Sequence, residues 1–136
     1  MEKDDLYEYL RMNIGMEFPC TAWDEEKEED VETTAKLYSI TSDKHCELVI
    51  GDDYMITVMY DILVPTLRRM SDMTEKEKEY YDTTIKKIIG AKDYNDYAAK
   101  NFGLLQWLNK NKLDYFGFID KGLAYDAKDG IQFINL

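Results

Sequence analysis

The side chains with the greatest intrinsic reactivity in this sequence are two cysteines and one histidine: Cys20, Cys46 and His45. A nucleophile pair or a metal site needs such side chains to point at one place. His45 and Cys46 are adjacent, and neighbouring residues of a strand point to opposite faces, so they do not easily share a proton or a metal ion. We therefore predict no catalytic residues, no metal site and no cofactor. Both cysteines are interpreted as small buried apolar side chains in a reducing compartment.

Carboxylates are far more abundant, and their densest run extends from Asp24 to Glu32, where seven acidic residues surround one lysine. This run has almost nothing to bury, so it predicts a solvated loop or hairpin tip. A calcium loop is not indicated, because the required spacing of acids, glycine and distant glutamate is missing. Glycine-rich phosphate loops and nucleophile elbows are also missing, which argues against nucleotide hydrolysis and acyl transfer. An enzyme that uses two carboxylates as acid and base remains an alternative.

The excess negative charge lies entirely in the first part of the chain. Residues 1–53 carry 16 acidic and 5 basic side chains, and residues 54–136 carry 12 of each, so the net charge of −11 belongs to the first segment. A negative field repels nucleic-acid backbones and attracts basic surfaces. We therefore predict no direct binding of nucleic acid, and a partner with a basic protein surface. Alternatively, the acidity serves only solubility.

Aromatic side chains are concentrated near the other end of the chain. Such a density either forms core or builds a contact surface, because aromatic rings bury a large area at low entropic cost. If it is a contact surface, the alternative ligand-binding residues are Trp107, Tyr115, Phe116, Phe118 and Tyr125, with Phe133 close in sequence.

Hydrophobic periodicity and turn signals predict a helix over residues 4–12 that ends before Gly15. Alternation predicts a strand over 16–23, with Pro19 favouring an edge position. Further strands are expected at about 34–41, 45–50, 54–60 and 62–67, forming a twisted antiparallel meander of about five strands.

Helical signals follow after residue 70. Thr74 and Glu77 have the spacing of a capping box, which predicts a helix over 75–89 that ends at Gly90. Its inward residues are expected to be Tyr81, Ile85, Ile88 and Ile89. Asp93 is a second N-cap candidate, for a helix whose expected buried stripe is Tyr94, Ala98, Phe102, Leu105 and Leu108.

A further short helix is expected to start at Tyr115 and end near Gly122. These elements together predict an α+β fold with two to three C-terminal helices and a short final strand near residues 131–134. We expect a single domain over 1–136, in which residues 1–70 are mostly β with an acidic surface and 71–136 are mostly helical and aromatic-rich. No apolar stretch is long enough to span a membrane, and the first residues lack the pattern of a signal peptide. The expected location is the cytoplasm, without membrane contact.

Two stretches, Val64–Glu77 and Trp107–Ala124, resemble small uncharacterised proteins encoded by prophages and mobile elements of gut anaerobic bacteria. The second stretch is similar to that family's C-terminal motif, with Asp114, Tyr115, Gly117, Ile119 and the Lys-Gly-Leu-Ala run of residues 121–124 in register. It departs from the motif at Phe116, where arginine is usual. The resemblance implies a phage or mobile-element setting and an α+β shape with a C-terminal helical unit, and it implies no activity.

The leading hypothesis is a non-catalytic acidic binding protein of phage or mobile-element origin. Its sharpest form is an anti-defence inhibitor, similar in action to an anti-CRISPR protein, that covers a basic nucleic-acid-binding surface of a host defence protein. The acids would then replace phosphates as a nucleic-acid mimic. The residues expected to do so are Glu25, Glu26, Glu28, Glu29, Asp30, Asp52 and Asp53. A small-molecule or peptide binder built on the aromatic residues is the second hypothesis.

Overall fold

The computed structural model describes residues 2–41, 43–51 and 54–136, with the side chains of residues 2 and 3 also outside the description. Two compact units divide the chain: one comprises Met1–Thr66 with Phe118–Leu136, and the other comprises Leu67–Gly117. The second unit is therefore an insertion in the sequence of the first. That the chain forms a single domain stays a prediction.

The first unit is built on a five-stranded sheet. Its strands are β1 Glu17–Asp24, β2 Glu29–Ile40, β3 His45–Ile50, β4 Tyr54–Met59 and β7 Ile134–Asn135. They stand in the order β4-β3-β2-β1-β7, of which β1 to β4 form an antiparallel meander and β7 runs parallel to β1. A helix precedes the sheet in the chain. This helix is α1 Glu2–Arg11, and two short strands outside the sheet are β5 Thr66–Leu67 and β6 Tyr125–Asp126.

One face of this sheet contributes most of its side chains to the core, and the other face is exposed. The buried face follows from alternation, because residues paired across the ladder point to the same side. Side chains of four strands meet there, and α1 adds three more to the core, of which the Tyr9 ring stands edge-on to Phe118 at 5.5 Å between centroids. The buried set is Leu6, Tyr9, Leu10, Phe18, Cys20, Ala35, Leu37, Cys46, Leu48, Phe118 and Ile134.

The two helices of the second unit are α2 Glu75–Ile89 and α3 Tyr94–Lys110. Both predicted N-caps are present: Thr74 and Glu77 form the capping box, and the Asp93 side chain accepts from the Asp96 amide. The buried residues that pack together are Ile88, Leu104, Leu108 and Leu113. The predicted helices therefore form where local signals placed them.

The α+β class, the N-terminal helix, two C-terminal helices and the short final strand are confirmed. The short helix expected from Tyr115 to about Gly122 is wrong, since turns occupy these residues. The strand expected over 62–67 is reduced to Thr66–Leu67, after a 3-10 turn over Tyr60–Ile62, and the fifth strand of the sheet comes instead from the end of the chain. The edge position inferred from Pro19 is wrong, since β7 pairs with β1. That pairing involves only Cys20 and Thr21, so the missing amide of Pro19 does not interrupt it.

The stripe predicted for α3 is also mostly wrong. Tyr94, Ala98 and Phe102 are exposed, while Leu104 and Leu108 are buried. The helix is covered only near its C-terminal half, where it packs with α2 and Leu113, so the spacing of apolar residues alone did not identify the buried side. Ile89 was also expected to point inward, but it is exposed. It lies at the last position of α2.

Candidate functional site

The acidic run forms the tip of the β1-β2 hairpin, which we call the acidic hairpin and define as residues 24–32. Eight residue pairs hold the two strands together, from Glu17 opposite Lys36 to Asp24 opposite Glu29. Asp24 organises the turn, because its Oδ1 accepts hydrogen bonds from the amides of Glu26 at 2.9 Å and Lys27 at 3.3 Å. The prediction of a solvated hairpin tip is confirmed.

Five of the predicted contact residues lie in this hairpin, and all five are exposed: Glu25, Glu26, Glu28, Glu29 and Asp30. Across the described part of the chain, none of their carboxylates takes part in an ion pair or a side-chain hydrogen bond. Lys27 is the one basic residue of the hairpin. The tip therefore presents a dense negative charge that its own cation only partly offsets.

The two remaining predicted contact residues, Asp52 and Asp53, lie outside the described residues. The structure thus brings together five of the seven. Along β2 the acids alternate between faces of the sheet, since Glu29 is opposite Asp24 and Asp30 is opposite Trp23. Negative charge is consequently available on both faces of the hairpin and at its tip.

The two units differ in charge more sharply than the two halves of the sequence. The unit of residues 1–66 and 118–136 holds 20 acidic and 7 basic side chains, whereas the unit of residues 67–117 holds 8 acidic and 10 basic ones. Their net charges are therefore −13 and +2. The second unit, which interrupts the first in sequence, has a small positive net charge. The first unit alone is therefore more negative than the whole chain, whose net charge is −11.

The aromatic residues proposed as an alternative site are divided between the units. Trp107, Tyr115 and Phe116 belong to the second, whereas Phe118 and Tyr125 belong to the first. Trp107 lies on the Tyr80 ring with 4.6 Å between centroids, and the Tyr115 ring is 4.8 Å from that of Phe116.

Burial further separates these aromatic residues by role. The hydroxyl of Tyr115 donates to Asn109 Oδ1 at 2.7 Å, and burial raises the pKa of that hydroxyl. Phe118 is fully buried in the core of the first unit. Its side chain therefore has no surface to offer a ligand in this conformation, whereas Trp107, Phe116 and Tyr125 remain half-buried. A role in ligand binding for these residues stays a prediction.

The two cysteines and the histidine, the most reactive side chains of the sequence, lie apart from any common site. Cys20 and Cys46 are free and fully buried, as expected, and burial raises the pKa of the Cys46 thiol to about 11. His45 points to the opposite face of β3 from Cys46, and its Nδ1 lies 3.0 Å from a carboxylate oxygen of Asp43. No group of three or more histidine, cysteine or acidic side chains suited to a metal ion occurs among the residues that the structure describes.

Sequence reasoning missed Trp23 as a component of this region, and it did not single out Asp24 within the acidic run. Trp23 is exposed although it follows the buried series Phe18, Cys20 and Ala22. The alternation itself contained the signal, because Trp23 is out of phase with that series and so must point to the opposite face. Asp24 ends the strand and fixes the turn, a role typical of aspartate at hairpin ends.

No protein-family model, curated protein or solved structure matches this chain. The resemblance to proteins of prophages and mobile elements accordingly stays a prediction. Over the described residues, no helix has the length and apolar character needed to cross a membrane.

Proposed function

We propose that this protein is a non-catalytic binding protein that uses the acidic hairpin to engage a basic surface of a partner protein. The observation that carries the proposal is the set of five exposed carboxylates on one hairpin, which form no ion pair with the described residues. Charges already paired within the chain would have to exchange one partner for another. Unpaired carboxylates lose only solvent, so an approaching cation gains the full attraction.

Rigidity of the hairpin supports the same proposal. Eight ladder pairs and the two hydrogen bonds to Asp24 hold the acids at the end of a two-stranded ribbon. A partner then loses little entropy from ordering this backbone. The net charge of −13 on the acidic unit also raises the rate of encounter with a basic protein, and makes that rate fall as salt is added.

The finer form of the proposal is an inhibitor of phage or mobile-element origin, acting in the bacterial cytoplasm against a nucleic-acid-binding defence protein. The resemblance of Val64–Glu77 and Trp107–Ala124 to mobile-element proteins supports this setting. Two buried free thiols suit a reducing compartment. The same negative surface disfavours direct contact with DNA or RNA.

A matched pair of variants tests where the binding surface lies. The first reverses two charges in the hairpin, Glu28→Lys with Glu29→Lys. The second reverses two exposed charges on α2 that form no ion pair with described residues, Glu79→Lys with Asp82→Lys. Both change the net charge equally, so only their positions differ.

Binding of a fluorescent poly-L-lysine probe is followed by anisotropy between about 50 mM and 500 mM salt. We expect the hairpin variant to bind about tenfold more weakly at low salt, and the α2 variant to bind within about twofold of the parent. Equal weakening in both variants would show that only the overall charge matters, and would refute the hairpin as the surface.

The inhibitor form needs its own experiment. A partner captured from a bacterial lysate is purified and tested for competition between this protein and the nucleic acid that the partner binds. Mutually exclusive binding, relieved in the hairpin variant, is expected. A complex that binds nucleic acid undiminished would rule out the inhibitor form while leaving the acidic surface in place.

A further inference from the structure

Beside the acidic hairpin, the core-facing side of the sheet contains an open groove of about 500 Å³. Its floor and walls are largely apolar: Ala22, Val31, Ile50, Tyr54, Ile56 and Leu136. All these residues belong to the first unit. The volume is in the usual range of ligand sites, which is about 300–1,000 Å³.

A change in burial along the sheet accounts for the groove. Near the α1 end of the core face, Phe18, Leu37 and Leu48 are fully buried. Toward the hairpin the same face becomes progressively open, since Val31 is half-buried and Tyr54 is 64% exposed. The strands thus extend past the elements that cover them. Apolar side chains on the core face, where alternation places them, are therefore left accessible at this end.

Negative charge at the rim of the groove restricts the kind of ligand that can bind in it. Asp24 and Glu25 line the groove, and Glu25 is one of the exposed acids of the hairpin that form no ion pair with the described residues. One oxygen of Asp24 accepts from the turn amides, which fixes this carboxylate at the rim. An occupant that combines an apolar group with adjacent positive charge would satisfy both the floor and the rim.

We propose that the groove binds a large apolar side chain of the partner protein, flanked in the partner's sequence by lysine or arginine. This inference rests on the proposed function and adds an anchor to it. Charge pairing by exposed acids gives modest affinity and depends on salt. An apolar side chain inserted beside them adds affinity that salt does not screen, and it distinguishes one basic surface from another.

Three capped synthetic peptides serve as probes: Lys-Lys-Phe-Lys-Lys, Lys-Lys-Ser-Lys-Lys and Gly-Gly-Phe-Gly-Gly. Each peptide carries a fluorescein label, and its binding is followed by fluorescence anisotropy. We expect the first peptide to bind about tenfold more tightly than the second, from partial burial of one aromatic side chain. The first should also bind at least about tenfold more tightly than the neutral peptide at low salt.

Tyr54→Ser is the test variant, because Tyr54 lines the groove and is exposed enough for its loss to leave the fold intact. Met55→Ser is the matched control, since Met55 is the next residue of β4, points to the opposite face and is 47% exposed. The Phe-over-Ser preference should fall to about twofold or less in the first variant and persist in the second.

Each other outcome is decisive. Equal affinity for the Phe and Ser peptides, or a preference that survives Tyr54→Ser, would refute the proposal that the groove binds an apolar side chain. If both lysine peptides still bind in a salt-dependent manner, the acidic hairpin remains supported as a binding surface. Equal affinity of the neutral and the lysine-flanked Phe peptides overturns the cationic occupant. Absence of salt-dependent binding by either lysine peptide refutes the hairpin proposal, and the inference that rests on it.

Discussion

The ion pair between Arg68 and Glu77 allows a quantitative test of how the second unit is stabilised. Arg68 Nη2 donates to Glu77 Oε1 at 2.6 Å, and Nη1 donates to Oε2 at 2.9 Å, a bidentate geometry that is strong for a charged pair. Glu77 Oε1 also accepts from the Thr74 amide at 2.8 Å as part of the capping box. Glu77→Gln removes the charge and keeps an oxygen for the cap, because glutamine also serves at this position.

The pKa of Glu77 gives the magnitude. The hydrogen bonds from Arg68, with a further contribution from the Thr74 amide, lower the pKa of this carboxyl from 4.5 to about 2. A shift of that size corresponds to at most about 3 kcal/mol of stabilisation of the ionised form. The side chains of Arg68 and Glu77 are 31% and 16% exposed, so solvent screening reduces the expected loss on Glu77→Gln to about 1–2 kcal/mol.

The sign of the pH dependence follows from the lowered pKa. Glu77 is ionised in both the folded and unfolded chain at neutral pH, and the stabilisation is then fully present. As pH falls below the unfolded pKa of 4.5 toward the folded pKa of about 2, the unfolded chain takes up the proton first and the stabilisation is lost. The difference between parent and Glu77→Gln should therefore be constant near neutral pH and shrink below about pH 4.5.

Urea unfolding in a Trp23→Phe background measures this difference, because Trp107 then reports on the second unit, where it contacts Tyr80. The matched control is Glu79→Gln on the same helix, an exposed residue that forms no ion pair with described residues. The control should change the free energy of unfolding by less than about 0.5 kcal/mol. Equal losses in both variants, or a loss for Glu77→Gln that does not change with pH, would refute the reasoning.

Two further predictions concern the first unit. Glu28 has a φ of 53°, in the left-handed region, so Glu28→Gly should raise the free energy of unfolding by up to about 1 kcal/mol, and a lower melting temperature would contradict this account of the turn. Leu48 and Met55 are on opposite faces of the sheet, one fully buried and the other exposed. Leu48→Ala should cost about 2–5 kcal/mol and Met55→Ala less than about 1 kcal/mol in chemical denaturation; similar losses would contradict the assigned core face.

Features that depend on neighbours in sequence were predictable. The capping box at Thr74 and Glu77 requires only that two residues stand three positions apart at the start of a helix, and it formed as expected. The acidic run formed an exposed hairpin tip because eight charged side chains in nine residues cannot be buried in any fold. The sequence therefore predicted that the acidic site residues are exposed to solvent.

Features that depend on what covers a surface were not predictable from spacing. The sequence of α3 contains more than one apolar stripe, and only packing with α2 and Leu113 selected Leu104 and Leu108. Likewise Ile134 pairs with Cys20 although they are far apart in the chain, and Arg68 meets Glu77 because an isolated β-bridge with Leu113 fixes the Arg68 backbone.

The same distinction applies to the binding region. Composition alone determined that residues 24–32 are negative and solvated, because charge and the cost of burying it belong to the residues themselves. Only the tertiary structure decided that an apolar groove opens beside them, because that groove exists where the strands extend past the elements covering their core face. Alternation specifies which side chains face inward, and the packing of distant segments decides which of them are actually covered.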